Sequence, residues 1–154
     1  MDLTLTPLTG DAKTLHHWLT TFHLASVVLD PFTNESAWIL KTAARILRQF
    51  SGAAVRINFI VTCDASDARA FLGPLADEFL VFCDPDRVAV KALGLSELPA
   101  FVLIKSDGSV PIAAQGWTSA EWKEVAAAVA ALTSWSRPTI PAPGDPGSFR
   151  GTPA

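Results

Sequence analysis

The sequence is poor in the residues that carry redox, electrostatic and membrane chemistry. Its 154 residues include two cysteines, Cys63 and Cys83, and no pair of cysteines separated by two positions. Twelve Lys and Arg against fifteen Asp and Glu give a net charge of -3. Phosphate contact needs clustered cations, so a nucleic-acid surface is excluded. No apolar run reaches the roughly 18 residues a membrane helix needs. Residues 1–7 lack the basic segment and apolar block of a secretory signal. The expectation is a cytoplasmic chain with no membrane contact, whose thiols a reducing compartment keeps reduced.

What is present is apolar. A hydrophobic content of 49% over this length suffices for one domain with a sizeable core. Leu15, Trp18, Leu19 and Phe22 recur at helical spacing and predict a helix over residues 9–24. His16, His17 and His23 lie on or beside it, but no cysteine or carboxylate cluster completes a ligand set, so neither metal nor cofactor is expected. Residues 25–29 are continuously apolar and suit a central strand covered on both faces. A helix follows from Thr33 or Asn34 to Phe50, with Ile39, Ala43, Ile46 and Leu47 on one stripe. Residues 55–61 read as the next strand and 68–76 as a helix weakened by Gly73-Pro74. A strand over 79–82 and a brief helix over 87–93 come next.

Pro99 precedes a run of Phe, Val, Leu and Ile, so it opens a strand rather than interrupting one. Asp107-Gly108 then reads as a hairpin turn into residues 110–114. Thr118 and Glu121 have capping-box spacing, and Trp117 and Trp122 sit where a hydrophobic staple pairs, opening a last helix to about Trp135. The division is a domain over residues 1–135 and a Pro/Gly-rich tail over 136–154, too poor in apolar residues to build a core. Ile140 and Phe149 leave docking open, on the same domain or a neighbouring subunit, against a mobile tail.

Strands alternating with helices imply right-handed crossovers and a mostly parallel sheet, and the late hairpin adds an antiparallel edge. With Pro99 at the start of its strand, and Val61-Thr62-Cys63-Asp64 and Phe82-Cys83-Asp84-Pro85-Asp86 at strand ends, residues 26–135 resemble the thioredoxin-like superfamily. The closer similarity is to its redoxin branch, meaning peroxiredoxin-like and thiol-disulfide reductase-like domains. The resemblance implies an α/β three-layer sandwich, a mixed and mostly parallel central sheet with a C-terminal β-hairpin and flanking helices, and a cis bond at Pro99. It also implies a reactive CxxC or single peroxidatic cysteine after the first central strand, where helix N–H groups stabilise a thiolate. This sequence has Asp30-Pro31-Phe32-Thr33-Asn34-Glu35-Ser36 there. Thr33 and Ser36 have the dithiol's spacing, but hydroxyls form no disulfide, which excludes thioredoxin-type exchange at this site.

Two functions compete. In the first, the chain is a non-catalytic binding or assembly module. Phe32, Thr33, Asn34, Ser36, Leu98 and Pro99 would line a groove for an extended peptide or small ligand; helix capping is the plainer account of Thr33 and Asn34. Its partner would be another protein or peptide, and homodimers of related folds make self-association the analogous alternative. In the second, it is an atypical thiol oxidoreductase or redox sensor using Cys63 and Cys83. Both end apolar strands, at the edge where open α/β sheets bind ligands. On neighbouring strands they would approach bonding distance, whereas the plainer reading is two packing thiols. Asp64 and Asp84 would raise their pKa values, and Arg56, Arg69 and Arg87 are the nearby cations in sequence. Nucleophilic chemistry at Ser36 or Thr33 ranks last, since no His and Asp arrangement supports a triad.

Overall fold

The computed structural model describes residues 1–154. Leu3-Thr4-Leu5-Thr6-Pro7 alternates buried and exposed positions and forms β1 (Thr4–Pro7), followed by β2 (Lys13–Thr14) and one turn of helix, α1 (Leu15–Trp18). The apolar run after it is β3 (His23–Leu29), which leads into the long amphipathic helix α2 (Asn34–Gln49). Next come β4 (Val55–Val61), α3 (Ala65–Leu72), α4 (Leu75–Glu78), β5 (Leu80–Cys83) and α5 (Val88–Ala92). The chain closes with β6 (Glu97–Leu98), β7 (Ala100–Ile104), β8 (Ile112–Gln115), α6 (Ser119–Thr133) and β9 (Thr152–Pro153).

Seven strands form one sheet in the order β2-β1-β5-β4-β3-β7-β8. Its centre, β3, β4 and β5, is parallel, and the strands on either side are antiparallel. Register places Leu29 opposite Val61 and Val61 opposite Cys83, so the three central strands end together at one edge. Val28 faces Ala100, which brings the start of β7 beside the end of β3. The Leu98-Pro99 bond there is cis.

Helices cover both faces, giving three layers. Ala25, Val27 and Leu29 of β3 point toward α2, α3 and α6, while Leu24 and Val28 point toward α1 and α5. Ile39, Ile46 and Leu47 of α2 are fully buried, and each such side chain contributes about 2 kcal/mol of apolar burial. Thr118 caps α6 by accepting from the Glu121 N–H, and Trp117 and Trp122 stack edge to face at 5.3 Å. The Thr118 cap and the tryptophan staple read from the sequence lie where α6 begins.

Two expectations are corrected. The helix over 9–24 does not form: Thr14 caps a single turn, and the chain enters β3 at His23 because this segment is paired into the sheet at both ends. The helix over 68–76 splits, since Gly73 takes φ 56° and Pro74 has no N–H to continue the ladder. The tail, for which docking and mobility were both left open, docks on its own domain. Ile140 is 3% exposed, and Arg45 forks onto Asp145 at 2.8 Å. Trp117 Nε1 donates to the Pro146 carbonyl, and β9 pairs with β6.

Candidate functional site

The sheet edge where β3, β4 and β5 end gathers the residues singled out from the sequence, but gives most of them structural work. Thr33 is the N-cap of α2. Its hydroxyl donates to the Asp30 carbonyl and accepts a long 3.5 Å bond from the Ser36 N–H. Ser36 is fully buried, and its Oγ accepts from the Asp30 N–H at 2.9 Å. Both hydroxyls are therefore engaged inside the junction and neither faces a groove. Asn34 is exposed, and Phe32 is 71% exposed.

Asp30 joins this junction to α5. Its Oδ1 accepts from the Phe32 N–H, and its Oδ2 accepts from Arg87 Nη2 at 2.7 Å. Asp84, expected to act on the Cys83 thiol, instead turns its carboxylate onto the Ala89 and Val90 N–H groups at the start of α5. Arg87 follows in the left-handed region at φ 57°. That turn swings the guanidinium back to Asp30.

Cys83 ends β5 opposite Val61, Cys63 lies two residues past the end of the neighbouring β4, and both thiols are free. Cys63 is buried, and its pKa is pushed up to about 12 by desolvation, then by Cys83, Asp67, Asp64 and Asp30. Cys83 is half-buried; desolvation also raises its pKa, Asp64 adds to this, and Arg69 opposes it. Of the three candidate cations only Arg69 acts on a thiol. Arg87 is bound to Asp30, and Arg56 lies on the other face of the sheet over the rings of Trp18 and Phe22.

Leu98 and Pro99 are both buried. The edge that precedes β7 is covered by the chain itself: Leu98 faces Thr152 and Glu97 faces Pro153 in antiparallel register. Phe149 exchanges two backbone hydrogen bonds with Trp117, and its ring stands edge to face against Trp38 at 5.5 Å. Trp38, on the outer face of α2, remains 55% exposed. The sequence reading missed Trp38, Gly151 and the Asp30 to Arg87 pair; it named Phe149, with Ile140, only as an apolar residue by which the tail could dock.

No three His, Cys, Asp or Glu side chains converge as a metal-binding group. His23 Nδ1 accepts from the Ser106 N–H, and His17 stacks edge to face on Trp18.

No protein-family model and no curated relative matches the sequence. Solved structures do match. A secreted Mycobacterium tuberculosis disulfide oxidoreductase homologous to E. coli DsbE superposes with a TM-score of 0.64 at 20% identity, covering 85% of this chain and 96% of that one. The Xanthomonas campestris bacterioferritin comigratory protein, studied for alkyl peroxide reduction, gives 0.64 at 18% identity over 88% and 92%. The pneumococcal exposed lipoprotein thioredoxin Etrx1 from Streptococcus pneumoniae gives 0.61 at 14% identity over 77% and 91%. The chain has a thioredoxin-like fold. Thr33, the N-cap of α2, and Ser36, in its first turn, stand where the resemblance calls for thiols, and no helix is long and apolar enough to cross a membrane.

Proposed function

We propose that this thioredoxin-like chain is a binding module that holds an extended protein segment at the edge beside Pro99 and does not turn over thiols. One observation carries the reading. The junction where the fold's chemistry needs a thiolate is closed by two hydroxyls and a 2.7 Å ion pair, while the aromatic side chains beside it, Phe32 and Trp38, face solvent. Main-chain recognition by a strand edge does not depend on a dithiol, so binding outlasts the loss of chemistry. The partner is another protein or peptide, with a second copy of the chain as the self-associating case. A cytoplasmic setting belongs to the same reading, since both thiols are free.

The competing reading, an atypical thiol oxidoreductase or redox sensor, draws support from Cys63 and Cys83 lying just past β4 and at the end of β5, two adjacent strands that end at one edge. The raised pKa of both thiols opposes it, because the thiolate is the reactive form.

The test combines two assays on the full chain. Insulin reduction and peroxide consumption with a thiol donor are expected to stay at background. Retention of an extended-peptide panel is expected to fall on Phe32→Ala and Trp38→Ala. Turnover that disappears in the Cys63→Ser, Cys83→Ser double variant would reverse the assignment.

A further inference from the structure

The edge assigned to binding is already occupied, and its occupant describes what it accepts. The tail has two parts held in different ways. Residues 136–146 are anchored by buried Ile140, by Arg45 on Asp145, and by the Trp117 indole on the Pro146 carbonyl. Residues 147–154 contribute no fully buried side chain, and the longest strand they form is two residues. Few buried apolar contacts and solvent-facing backbone hydrogen bonds are the marks of a segment that opens locally.

The contacts are selective at three positions. Phe149 is clamped by both backbone bonds to Trp117 and by the ring of Trp38. At position 151 only glycine fits: a Cβ would lie 2.9 Å from Glu97 Cβ and 2.9 Å from the Leu98 carbonyl oxygen. From the other side Gly116, at φ +74°, leaves equally little space, since its own Cβ would meet the Gly151 nitrogen at 2.9 Å. Thr152 then donates its hydroxyl to the Leu98 carbonyl, and the Ala154 N–H donates to the Ser96 carbonyl. Arg150 is 91% exposed at 3.7 Å from Glu97, so it adds little.

We propose that residues 147–154 are a releasable intramolecular ligand of the Glu97–Leu98 edge, and that this edge selects extended protein segments with an aromatic residue two positions before a glycine. The proposal rests on the binding function above and names its ligand class and its control: a partner segment must displace the tail. A tethered segment on a short flexible linker reaches effective concentrations on the order of mM. Occupancy by it weakens the apparent affinity of any competitor by the fraction of time the edge is open.

The test uses full-length protein and a fluorescein-labelled peptide of residues 147–154, read by fluorescence anisotropy. Gly151→Val is expected to eject the tail by steric clash, and Phe149→Ala to loosen it by removing the aromatic anchor; thermal unfolding verifies that both variants are folded. Each should bind the peptide about tenfold or more tightly than the wild type does. The same peptide carrying valine at position 151 should lose about tenfold in affinity for the opened variants. Equal affinity for wild type and variants, or no binding to either opened variant, would overturn the proposal.

A further arm separates this inference from the function it rests on. Peptides of unrelated sequence that share the aromatic-x-glycine pattern are added to both forms. If only the tail peptide binds the opened variants, the intramolecular ligand stands and the wider binding function fails. If the unrelated peptides bind wild type as tightly as Gly151→Val, the binding function stands and tail control is refuted.

Discussion

Arg87 donates from Nη2 to Asp30 Oδ2 at 2.7 Å, tying the start of α5 to the end of β3. Asp30 is 6% exposed and is engaged at every polar group. One carboxylate oxygen takes Arg87 and the other the Phe32 N–H; its own N–H reaches Ser36 and its carbonyl receives Thr33. The junction that would need an exposed, ionised thiol for redox chemistry is here a closed hydrogen-bond network.

Removing the cation exposes what this closure costs. Arg87→Ala leaves a buried carboxylate without its counter-ion and should destabilise the fold by roughly 2 to 3 kcal/mol. The double variant Asp30→Asn, Arg87→Met should recover part of that loss. Urea unfolding midpoints for the three proteins check it, and a wild-type midpoint for Arg87→Ala would show that the pair contributes nothing.

Introducing a dithiol tests whether the junction can support redox chemistry. In Thr33→Cys, Ser36→Cys the first sulfur stands at the N-cap of a sixteen-residue helix, where the dipole and free N–H groups favour a thiolate. The variant is expected to form a reducible disulfide and to reduce insulin above the rate of the natural chain. Two thiols that stay unlinked under oxidising glutathione would mean that the junction no longer supports the chemistry.

The two native thiols should differ in reactivity. With a pKa of about 12 and almost no exposure, Cys63 should resist alkylation at neutral pH in the folded protein and react fully in denaturant. Cys83, half-buried, should react first; mass spectrometry over a pH series separates the sites. The linkage has a definite sign. The unfolded thiol releases its proton from about 9 and the folded one only near 12, so the native state holds more protons across that window. Stability should therefore fall as pH rises from 9 toward 12, and Cys63→Ser should flatten the slope.

Asp145 anchors the tail. Its carboxylate, 4% exposed, accepts from Thr42 Oγ1, from Arg45 and from the Ala142 N–H. Asp145→Ala removes the acceptor for all three and should cost roughly 2 kcal/mol or more. Amide exchange at Ala142 should accelerate while exchange in β3 and β4 tracks only the global loss. An unchanged rate at Ala142 would mean that the arm is held by Ile140 and the Trp117 bond to Pro146 without help from Asp145.

Local patterns in the sequence determined much of this protein. The apolar runs that became β3, β4 and β7 predict buried central strands, the stripe on α2 predicts a helix packed on one face, and Thr118 with Glu121 fixes the start of α6. These signals are legible because period and capping depend on residues only a few positions apart. The absence of a CxxC pair was equally plain, since Cys63 and Cys83 are the chain's two cysteines. β1 was missed although Leu3, Leu5 and Pro7 alternate with threonines, because four residues cannot hold a strand without β5 beside them.

Tertiary structure decided the rest. Pairing of Asp30 with Arg87 spans 57 positions and depends on the left-handed turn at Arg87. Docking of the tail depends on Asp145 finding Arg45, and on Gly151 meeting an edge built by Glu97 and Gly116. None of these contacts has a sequence period. Each is fixed by how folded surfaces close on one another, and that closure turned a predicted open groove into an occupied one.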